Sequence, residues 1–534
     1  MKAINVLLAL LVSLLLALGV LEGGLRLIGM GPPETINQPD ETLGWSKRTS
    51  SSVRRKTAEY DVDLVTNEQG LRDDPMPSPA KADGVFRVVC LGDSFTLGYT
   101  VAREDLFVDL LERKWLAEGR KVEVVNAGTE GYSTDQEVAW LLENGEAYQP
   151  DLVLLLTYDN DLYWNGQTDY FGKPKPRFDA AGELDHQGPF AAPPAGGGLA
   201  LTRLASGLLG GSGSAEHTFV PPGGSRPVLA EFSALVDPPF DASLSDTTWV
   251  SVIRDATERT GGALKALKRE CERLGSGLVV VPIPSRATLQ PETAEAFATT
   301  VLGLESAAGL LPDQPLETFL QLCEREGIQG LDARPALRAA VEADGQAMHY
   351  PVDWHLSPHG NLRFAEFLDA EIARLELLGA DHPATTEASF ASLTSPEAPP
   401  EPPAWLRWYV LLWAGLTALY HFTYKDEAAW QAPLKVGGML AMIFTIVIGG
   451  GHLLDLMPPQ YARLAGLGFV VAILGFVAYK LGPRLATIAE LLKAFTLRGH
   501  WYLMPLVTIL LTIGSLLVVA ASSPLVAPFI YTLF

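Results

Sequence analysis

The sequence has little cysteine and few basic residues. Among its 534 residues there are three cysteines, and 40 Lys and Arg stand against 62 Asp and Glu, which gives a net charge of −22. Nucleic-acid binding requires clustered basic side chains, so this composition predicts no nucleic-acid partner. Cys271 and Cys323 are a candidate disulfide pair for an oxidising compartment, whereas Cys90 lies in an apolar run and is predicted to pack in the core.

Motifs for metal ions and phosphates are also missing. No histidines have a metal-ligand spacing such as H-E-x-x-H, and the glycine-rich GGSGS at 210–214 lacks the lysine of a phosphate-binding loop. No internal repeat is apparent. The sequence therefore predicts neither a metal ion nor another cofactor.

Long apolar runs lie at both ends of the chain. Ile4–Leu21 is uncharged and long enough to span a bilayer. Because no A-x-A-like cleavage site follows it, residues 1–30 are predicted to be a retained transmembrane anchor rather than a signal peptide. Residues 404–534 are predicted to form an α-helical membrane bundle of about four helices. Its apolar runs are Trp408–Phe422, Val436–Leu454, Leu464–Tyr479 and Leu503–Ala521. The first and third are short, so a buried or re-entrant segment is an alternative for each.

Basic residues suggest the orientation of these spans. Lys425 and Lys435 fall in one predicted loop, and Arg484, Lys493 and Arg498 fall in another. Cytoplasmic loops carry an excess of Lys and Arg, so both loops are predicted to be inside. The expected protein is a multi-pass protein of the cytoplasmic membrane with an extracytoplasmic catalytic domain. The C-terminal helices could also bind a membrane protein partner.

Between these ends, residues 31–383 alternate between strand and helix patterns. This alternation predicts an α/β domain in which a parallel sheet carries helices on both faces. The predicted strands are 85–91, 122–128, 151–161, 277–284 and 327–335. The predicted helices are 105–118, 133–144, 250–274, 318–326 and 361–377.

Three stretches break the alternation. Residues 31–80 are polar and are predicted to be an irregular lead-in. Residues 165–238 are rich in Gly and Pro and are predicted to be an insertion near the edge of the site, where they form a lid, form a partner surface or have no role. Residues 384–403 are predicted to be a Pro-rich linker to the membrane domain.

Ser94 lies on the turn after the first strand. The run from Val85 to Leu91 stops at Gly92, and the carboxyl edge of a parallel sheet is where open α/β folds bind ligands. The motif GDSFTLG around Ser94 resembles the first block of the SGNH (GDSL-type) hydrolases. Three further blocks of that family, supplying a glycine, an asparagine and a histidine, follow in order. The resemblance implies a three-layer, flavodoxin-like parallel sheet.

The resemblance implies a catalytic triad. In VDWHLSPHG, His355 matches the family's base and Asp353 its acidic partner, with Ser94 as the nucleophile. Many members space the acid and base as Asp-x-x-His, whereas the Asp-x-His spacing here resembles the branch that acetylates secreted polysaccharides. His359 and His349 are less favoured alternative bases, because one lies where the closing helix begins and the other has no acid beside it.

The resemblance also implies an oxyanion hole. Its donors are the N–H of Ser94, the N–H of Gly128 in VVNAGTEGYS, and the side chain of Asn160 in TYDND. Gly131 is the alternative glycine, and Asp161 is a structural neighbour of Asn160. Tyr158 stands where the family often has glycine. Asp93 is expected to support the turn rather than to take part in chemistry.

The triad and the oxyanion hole that the resemblance implies would catalyse acyl transfer through an acyl-Ser94 intermediate. Water as acceptor makes an esterase, and a sugar hydroxyl makes an O-acyl(acetyl)transferase, so the motif does not choose between them. The expected substrate is an acylated glycan of the cell envelope or a secreted glycan, with a lipid ester as the alternative. A non-catalytic membrane scaffold that retains the fold is the contrasting hypothesis. The end of the chain, from about residue 491, resembles a small membrane domain of unknown function found with carbohydrate-modifying genes.

Overall fold

The structure, a computed structural model, divides the chain into two compact units. Glu34–Gly196 and Gly213–Pro396 form one unit, and Met1–Pro33, Gly197–Ser212 and Glu397–Phe534 form the other. The described residues are 19, 22, 35–191, 217–221, 227–236, 248–393 and 404–441, apart from 58, 77, 380, 424–427, 429 and 439.

A five-stranded parallel sheet is the centre of the larger unit. Its strands are β1 (Phe86–Gly92), β2 (Val122–Asn126), β3 (Leu152–Thr157), β4 (Gly277–Pro282) and β5 (Gln329–Gly330). They are ordered β2-β1-β3-β4-β5. This is the flavodoxin-like order, in which the direction of winding reverses beside the first strand and opens a crevice there. The predicted α/β fold with a parallel sheet is confirmed.

Alternation along β1 explains why both faces of the sheet are covered. Val88 and Cys90 are buried on one face, and Val89 and Leu91 are buried on the other. Each fully buried apolar side chain of this size contributes about 1.5–3 kcal/mol. A shift of register by one residue would exchange the two faces, so the packing on both sides fixes the strand.

Among the described residues of this unit, six long helices form the two outer layers. One face carries α1 (Phe107–Ala117), α5 (Arg334–Asp344) and α6 (Pro358–Arg374). The other carries α2 (Thr134–Tyr148), α3 (Thr248–Leu274) and α4 (Gln314–Glu326). Shorter turns of helix span Ser94–Leu97, Arg103–Asp105, Asp161–Trp164, Arg286–Leu289, Pro291–Thr293, Ala294–Ala296, Phe297–Val301 and Ala307–Gly309.

Helix boundaries differ from the predicted ones by up to four residues, at the end of α2 and at the start of α4, and α5 was not predicted. Ser133 occupies the N-cap position of α2, but its hydroxyl bonds the side chain of Asp135 at 2.8 Å instead of capping a backbone N–H. The helix continues to Tyr148, four residues past the predicted end, because Val138, Leu141 and Tyr148 share a buried face.

The lead-in before β1 is not irregular, as the sequence predicted, but contains two antiparallel hairpins. Asn37–Asp40 pairs with Gly44–Lys47, and Ser52–Lys56 pairs with Asp61–Val65. Val53 and Leu64 are buried on one side of the second hairpin. Alternating burial with charged outer residues is typical of a half-covered hairpin, and charges such as Arg54 and Asp61 concealed this pattern in the sequence.

The described part of the predicted insertion packs on the domain. Short antiparallel pairs join Asp169–Tyr170 to Lys173–Pro174, Arg177–Phe178 to Leu184–His186, and Thr218–Phe219 to Val228–Leu229, and a 3₁₀ helix spans Ala230–Leu235. The buried Lys175 forms an ion pair with the buried Asp135 at the start of α2. A buried charge of this kind needs its partner, so the pair fixes where the insertion begins to pack.

The predicted linker begins later than residue 384. The backbone N–H of Thr385 donates to Glu118 O at 2.8 Å, and Phe390, in the short helix Phe390–Ser392, joins the core beside α1. The α/β domain therefore extends to at least residue 393 among the described residues.

The described part of the smaller unit contains α7 (Ala404–Thr423) and a helical stretch at 431–438. Two hydrogen bonds join them, from Tyr409 Oη to Gly437 O at 3.0 Å and from Trp413 Nε1 to Pro433 O at 2.9 Å. In the parts of the chain that the structure describes, α7 included, no helix is both long and apolar enough to cross a bilayer. Ile4–Leu21, apart from residue 19, and the apolar runs from residue 442 onward lie outside the described residues.

Candidate active site

The turn after β1 presents Ser94 at the edge of the sheet. A side chain at Gly92 would overlap Thr96, so the turn requires glycine. Asp93 caps the helical turn Ser94–Leu97, and its carboxylate accepts the N–H of Phe95 at 2.8 Å. Burial raises the pKa of Asp93 to about 6. The N–H of Ser94 opens this helical turn, where backbone N–H groups have no partner within the helix.

Three predicted residues form one hydrogen-bonded chain. Ser94 Oγ lies 2.8 Å from His355 Nε2, and His355 Nδ1 lies 2.6 Å from Asp353 Oδ1. The side chains of His355 and Asp353 are each 16% exposed, so the histidine can be reached from solvent. The ring of Phe95 stacks on the imidazole at 4.3 Å, and the ring of Tyr99 meets it edge-on at 4.5 Å. In this geometry one imidazole nitrogen faces the serine and the other faces the carboxylate.

Trp354 explains how the short Asp-x-His spacing works. Its φ is +71°, a left-handed conformation that bulky residues rarely adopt. If the loop were extended, the side chains of Asp353 and His355 would point to the same side but would not turn toward each other. The left-handed turn at Trp354 brings the carboxylate of Asp353 back to the imidazole of His355.

Asp353 is held in its charged form. Burial by itself would raise the pKa of Asp353, but hydrogen bonds from His355 and Tyr60 and the nearby positive charge of Arg55 outweigh burial, so its pKa is lowered. A charged carboxylate beside Nδ1 stabilises an imidazolium that has accepted a proton at Nε2.

The alternative bases lie elsewhere. The buried His349 has its Nε2 3.1 Å from Pro284 O, and burial lowers its pKa to about 3, which keeps it neutral. His359 is in the first turn of α6, and its Nε2 lies 3.1 Å from Asp344 Oδ2. Of the three histidines, His355 is the one that the structure brings to Ser94.

The two candidate glycines differ in their contacts. The N–H of Gly128 donates to Asn126 Oδ1 at 3.0 Å, and a side chain there would overlap the backbone of Leu97. The predicted donor at Gly128 is therefore already engaged and serves close packing beneath the serine turn. Gly131 has φ +78°, a conformation that favours glycine. It is the glycine of this loop that remains as a candidate donor.

Lys47 supports the loop that contains Gly128 and Gly131. Its Nζ donates to Gly128 O at 2.6 Å and to Thr129 Oγ1 at 2.7 Å. Burial lowers the pKa of Lys47 to about 7. The first hairpin thus contributes a side chain that holds the glycine loop, a role that the sequence did not suggest.

Asn160 lies just beyond β3, where the sequence placed it. Its side chain hydrogen-bonds the carboxylate of Glu231, which also accepts Trp164 Nε1 at 2.9 Å. Burial raises the pKa of Glu231. Asp161 Oδ2 accepts the N–H of Tyr158 at 3.3 Å and so stabilises the turn. Glu231 comes from the insertion, and no motif around it could have indicated this contact.

Arg72 is another supporting residue that the sequence did not indicate. Its guanidinium is buried and donates to Leu97 O at 2.9 Å and to Val101 O at 2.7 Å. The Leu97 carbonyl ends the serine turn and the Val101 carbonyl follows four residues later, and buried carbonyls need such partners. Only a three-dimensional contact 25 residues along the chain reveals the role.

The described residues contain no group of three or more His, Cys, Asp or Glu side chains that could hold a metal ion. Cys90, Cys271 and Cys323 are buried and free, so the candidate disulfide between Cys271 and Cys323 is not formed.

Two regions of the sequence match known families. Residues 249–396 match the family described as "SGNH hydrolase-like domain, acetyltransferase AlgX", a range that includes Asp353 and His355 but begins after Ser94. Residues 485–534 match a family of unknown function, DUF5989. No curated protein matches the chain.

Several solved structures are similar to the chain at low identity. The acetyl xylan esterase AlAXEase is 11% identical over 54% of this chain and 100% of its own, with a TM-score of 0.29. The esterase EstA from Pseudoalteromonas sp. is 14% identical over 54% and 98%, with a TM-score of 0.27. The esterase LAE5 from the Lake Arreo metagenome is 14% identical over 57% and 100%, with a TM-score of 0.29. These scores are too low for the likenesses to bear on function.

The family match and the α/β fold agree with the blocks found in the sequence. The matched range supplies β4, β5 and the loop of Asp353 and His355, and the strands that precede it in the chain complete the same sheet. Residues 249–396 thus match an SGNH hydrolase-like domain, and the chain is an enzyme of the serine esterase or acetyltransferase type.

Proposed function

We propose that the protein transfers acyl groups through a covalent acyl-Ser94 intermediate. The observation that carries this proposal is the continuous chain of contacts from Ser94 Oγ to His355 Nε2 at 2.8 Å and from His355 Nδ1 to Asp353 Oδ1 at 2.6 Å. A serine hydroxyl is a weak nucleophile until a base removes its proton, and this geometry provides the base and a group that orients it.

The reaction has two steps with the same proton carrier. His355 Nε2 accepts the Ser94 proton as Oγ attacks the ester carbonyl carbon, and the imidazolium then gives that proton to the departing alcohol. In the second step, His355 takes a proton from water or a sugar hydroxyl, which attacks acyl-Ser94, and the imidazolium returns that proton to Ser94 Oγ as the serine is released. Asp353 keeps its negative charge throughout and stabilises each imidazolium.

The oxyanion of each tetrahedral intermediate needs hydrogen-bond donors. The proposed donors are the N–H of Ser94, the side-chain amide of Asn160 and a glycine N–H of the loop 128–131. Gly131 replaces Gly128 as the glycine in this proposal, since the N–H of Gly128 is engaged by Asn126.

The proposed substrate is an acylated glycan of the cell envelope or a secreted glycan. The matched family is described by the acetyltransferase AlgX, and the Asp-x-His spacing resembles polysaccharide-acetylating relatives. These features favour a sugar hydroxyl as acyl acceptor over water. A lipid ester remains the alternative substrate.

Labelling and ester turnover test the proposed function. One sample of the full-length chain is treated with a fluorophosphonate, and a separate, untreated sample is assayed with acetyl and long-chain acyl esters, each with and without a soluble glycan acceptor. Labelling at Ser94, preference for acetyl esters and acyl transfer to the glycan are expected. Preference for long-chain esters would favour the lipid substrate. A folded chain that is neither labelled nor active would favour a non-catalytic scaffold.

Asn160→Ala tests the oxyanion hole. Loss of one such donor is expected to lower kcat about 10²–10³-fold, with little change in KM, because the donor acts mainly in the transition state. Steady-state kinetics on an acetyl ester measure both constants. Asn144→Ala is the matched control, since that amide bonds Trp140 O within α2 at 2.9 Å. An effect confined to KM would make Asn160 a substrate-binding residue instead.

We further propose that residues 30–403 lie outside the cytoplasmic membrane, with the apolar runs as membrane spans, α7 among them although by itself it falls short of the apolar length that a lone spanning helix needs. The apolar content of Ile4–Leu21 and the basic residues of the predicted inside loops support this arrangement. A topology reporter fused at Ala398 is expected to be active outside the cytoplasm, and one fused at Ala429 inside. Equal signals from both fusions would mean that α7, which lies between them, does not cross.

A further inference from the structure

The second hairpin of the N-terminal region contacts the loop that carries the acid and the base. We call Ser52–Val65 the clamp hairpin and residues 350–355 the triad loop. The carboxylate of Glu59 accepts two backbone N–H groups of the triad loop, from Val352 at 2.8 Å and from Asp353 at 2.8 Å. Carboxylates bind paired N–H groups strongly, because each bond is charge-assisted.

Tyr60 completes the hydrogen bonding of Asp353. Its hydroxyl donates to Asp353 Oδ2 at 2.7 Å, while Oδ1 faces His355. The carboxylate is thus held at both oxygens, which fixes its plane and its distance from the imidazole. The ring of Tyr60 packs at 5.5 Å from that of Tyr350, so the hydroxyl is held in place from behind.

The triad loop needs such support because its backbone is strained. Trp354 has φ +71°, and a strained residue of this kind persists only where its surroundings over-determine it. Glu59 fixes the two backbone N–H groups immediately before Trp354. Other contacts hold the flanks of the loop, including Arg286 on Pro351 O and the N–H of Tyr350 on His355 O at 2.9 Å. Among these contacts, the clamp hairpin is the one that reaches the carboxylate itself.

The clamp hairpin also reaches the imidazole from a second side. The guanidinium of Arg55 lies 3.9 Å above the ring of Tyr99, and that ring meets the His355 imidazole edge-on at 4.5 Å. Arg55 also hydrogen-bonds Tyr60. One hairpin therefore acts on Asp353 directly and on His355 through an aromatic ring.

We propose that Tyr60 and Glu59, two residues of the clamp hairpin, are positioning residues for acyl transfer. Tyr60 sets the orientation of the Asp353 carboxylate, and Glu59 holds the strained triad loop. This inference rests on the proposed function, since it assigns what keeps Asp353 and His355 in register with Ser94.

A pH profile can detect this role because it reports the ionisation of His355. The acidic limb of kcat/KM follows the pKa of the free enzyme's base. The titratable and charged groups that face Asp353 and His355 come from three elements: Arg55, Glu59 and Tyr60 of the clamp hairpin, Asp93 and Tyr99 near the serine turn, and His349 and Tyr350 before Asp353.

Tyr60→Phe is the first test. The ring and its packing remain, but Asp353 Oδ2 loses its donor, so kcat is expected to fall about ten- to hundredfold, the range for a hydrogen bond to a charged group. Without the Tyr60 hydroxyl, the negative charge of Asp353 is less stabilised by hydrogen bonds. It therefore stabilises the His355 imidazolium more strongly. The acidic limb is therefore expected to move to higher pH. Full-length protein, a short acetyl ester and a pH series measure both effects.

Glu59→Gln is the second test, and Asp61→Asn is its matched control. Glutamine offers one oxygen acceptor where the carboxylate offers two, so one N–H of the triad loop loses its partner and kcat is expected to fall about tenfold. Asp61 is a carboxylate of the same hairpin, and it pairs with Arg54 at 2.7 Å away from the triad loop. Asp61→Asn is expected to keep the wild-type kcat and pH profile.

The outcomes separate this inference from the proposed function. An active wild type whose Tyr60→Phe variant keeps the wild-type acidic limb would overturn the positioning role, even if kcat fell, because a purely structural role lowers activity without moving the limb. If the wild type is inactive, the proposed function fails, and the His355 Nδ1 proton can still be followed by NMR. A downfield resonance that moves in Tyr60→Phe but not in Asp61→Asn would support the contact, and an unmoved resonance would overturn it.

Discussion

Ser94→Ala and His355→Ala are each expected to lower kcat on an acetyl ester by about 10⁴- to 10⁶-fold, the range found for triad residues of serine proteases. The reason is that Ser94 Oγ and His355 Nε2, 2.8 Å apart, act in one step, so neither is useful without the other. The double variant is accordingly expected to be little worse than either single one. Steady-state kinetics of the three variants against wild type measure these losses.

Two controls keep this test specific. Ser276→Ala removes an exposed hydroxyl that bonds Gly277 O at 3.0 Å, and His359→Ala removes the histidine beside Asp344. Both are expected to retain near-wild-type kcat. If Ser94→Ala or His355→Ala also kept near-wild-type activity, the assignment of nucleophile and base would be wrong. If His359→Ala were as impaired as His355→Ala, the choice of base would have to be revised.

Asp353→Asn is expected to cost roughly 10⁴ in kcat, as the same change does in a serine-protease triad. An asparagine amide facing His355 Nδ1 would favour the tautomer with its proton on Nε2, which cannot accept the proton of Ser94. Asp353→Ala should also be severely impaired, since it leaves Nδ1 and the Tyr60 hydroxyl without their acceptor. Measurements of kcat for both variants, with thermal melts to establish folding, test the prediction.

Asp344→Asn is the matched control for Asp353. Asp344 is also a carboxylate beside a histidine, with its Oδ2 3.1 Å from His359 Nε2. However, Asp344 is the last residue of α5, and His359 is in α6. It is expected to leave kcat unchanged. A loss below about tenfold in both Asp353 variants, within the range of one lost hydrogen bond, would mean that Ser94 and His355 work as a dyad.

The strands of the sheet were predictable because their signal is local. The apolar run of β1 can be recognised from seven consecutive residues. The observed strand, Phe86–Gly92, is displaced by one residue from the predicted one. The end of α2 was less predictable, since its last residues are helical because they pack against distant elements. The two N-terminal hairpins were missed because their short strands carry many charges, and a short alternating pattern of this kind resembles a polar loop.

The residues of the candidate site also differ in how well the sequence predicted them. Ser94, Asn160, Asp353 and His355 were found from short motifs at strand ends, where parallel strands bring their following residues to one edge. The structure brings Asp353 and His355 to Ser94 and places Asn160 next to the insertion. The glycine was less predictable: the motif favoured Gly128, but a hydrogen bond to Asn126 already uses its N–H.

By itself, the sequence determined the α/β class, the order of the four motifs that supply the candidate site residues, and the absence of cofactor motifs. Each of these features depends on residues close together in the chain. The tertiary structure decided what holds the site in place. Lys47 beneath the glycine loop, Tyr60 on Asp353 and Glu231 on Asn160 come from segments with no motif of their own. Tyr60 and Asp353 are 293 residues apart, and a single hydroxyl or carboxylate gives no periodic or compositional signal that would indicate its partner. Only the folded chain, by satisfying these buried polar groups with one another, selects the pairs.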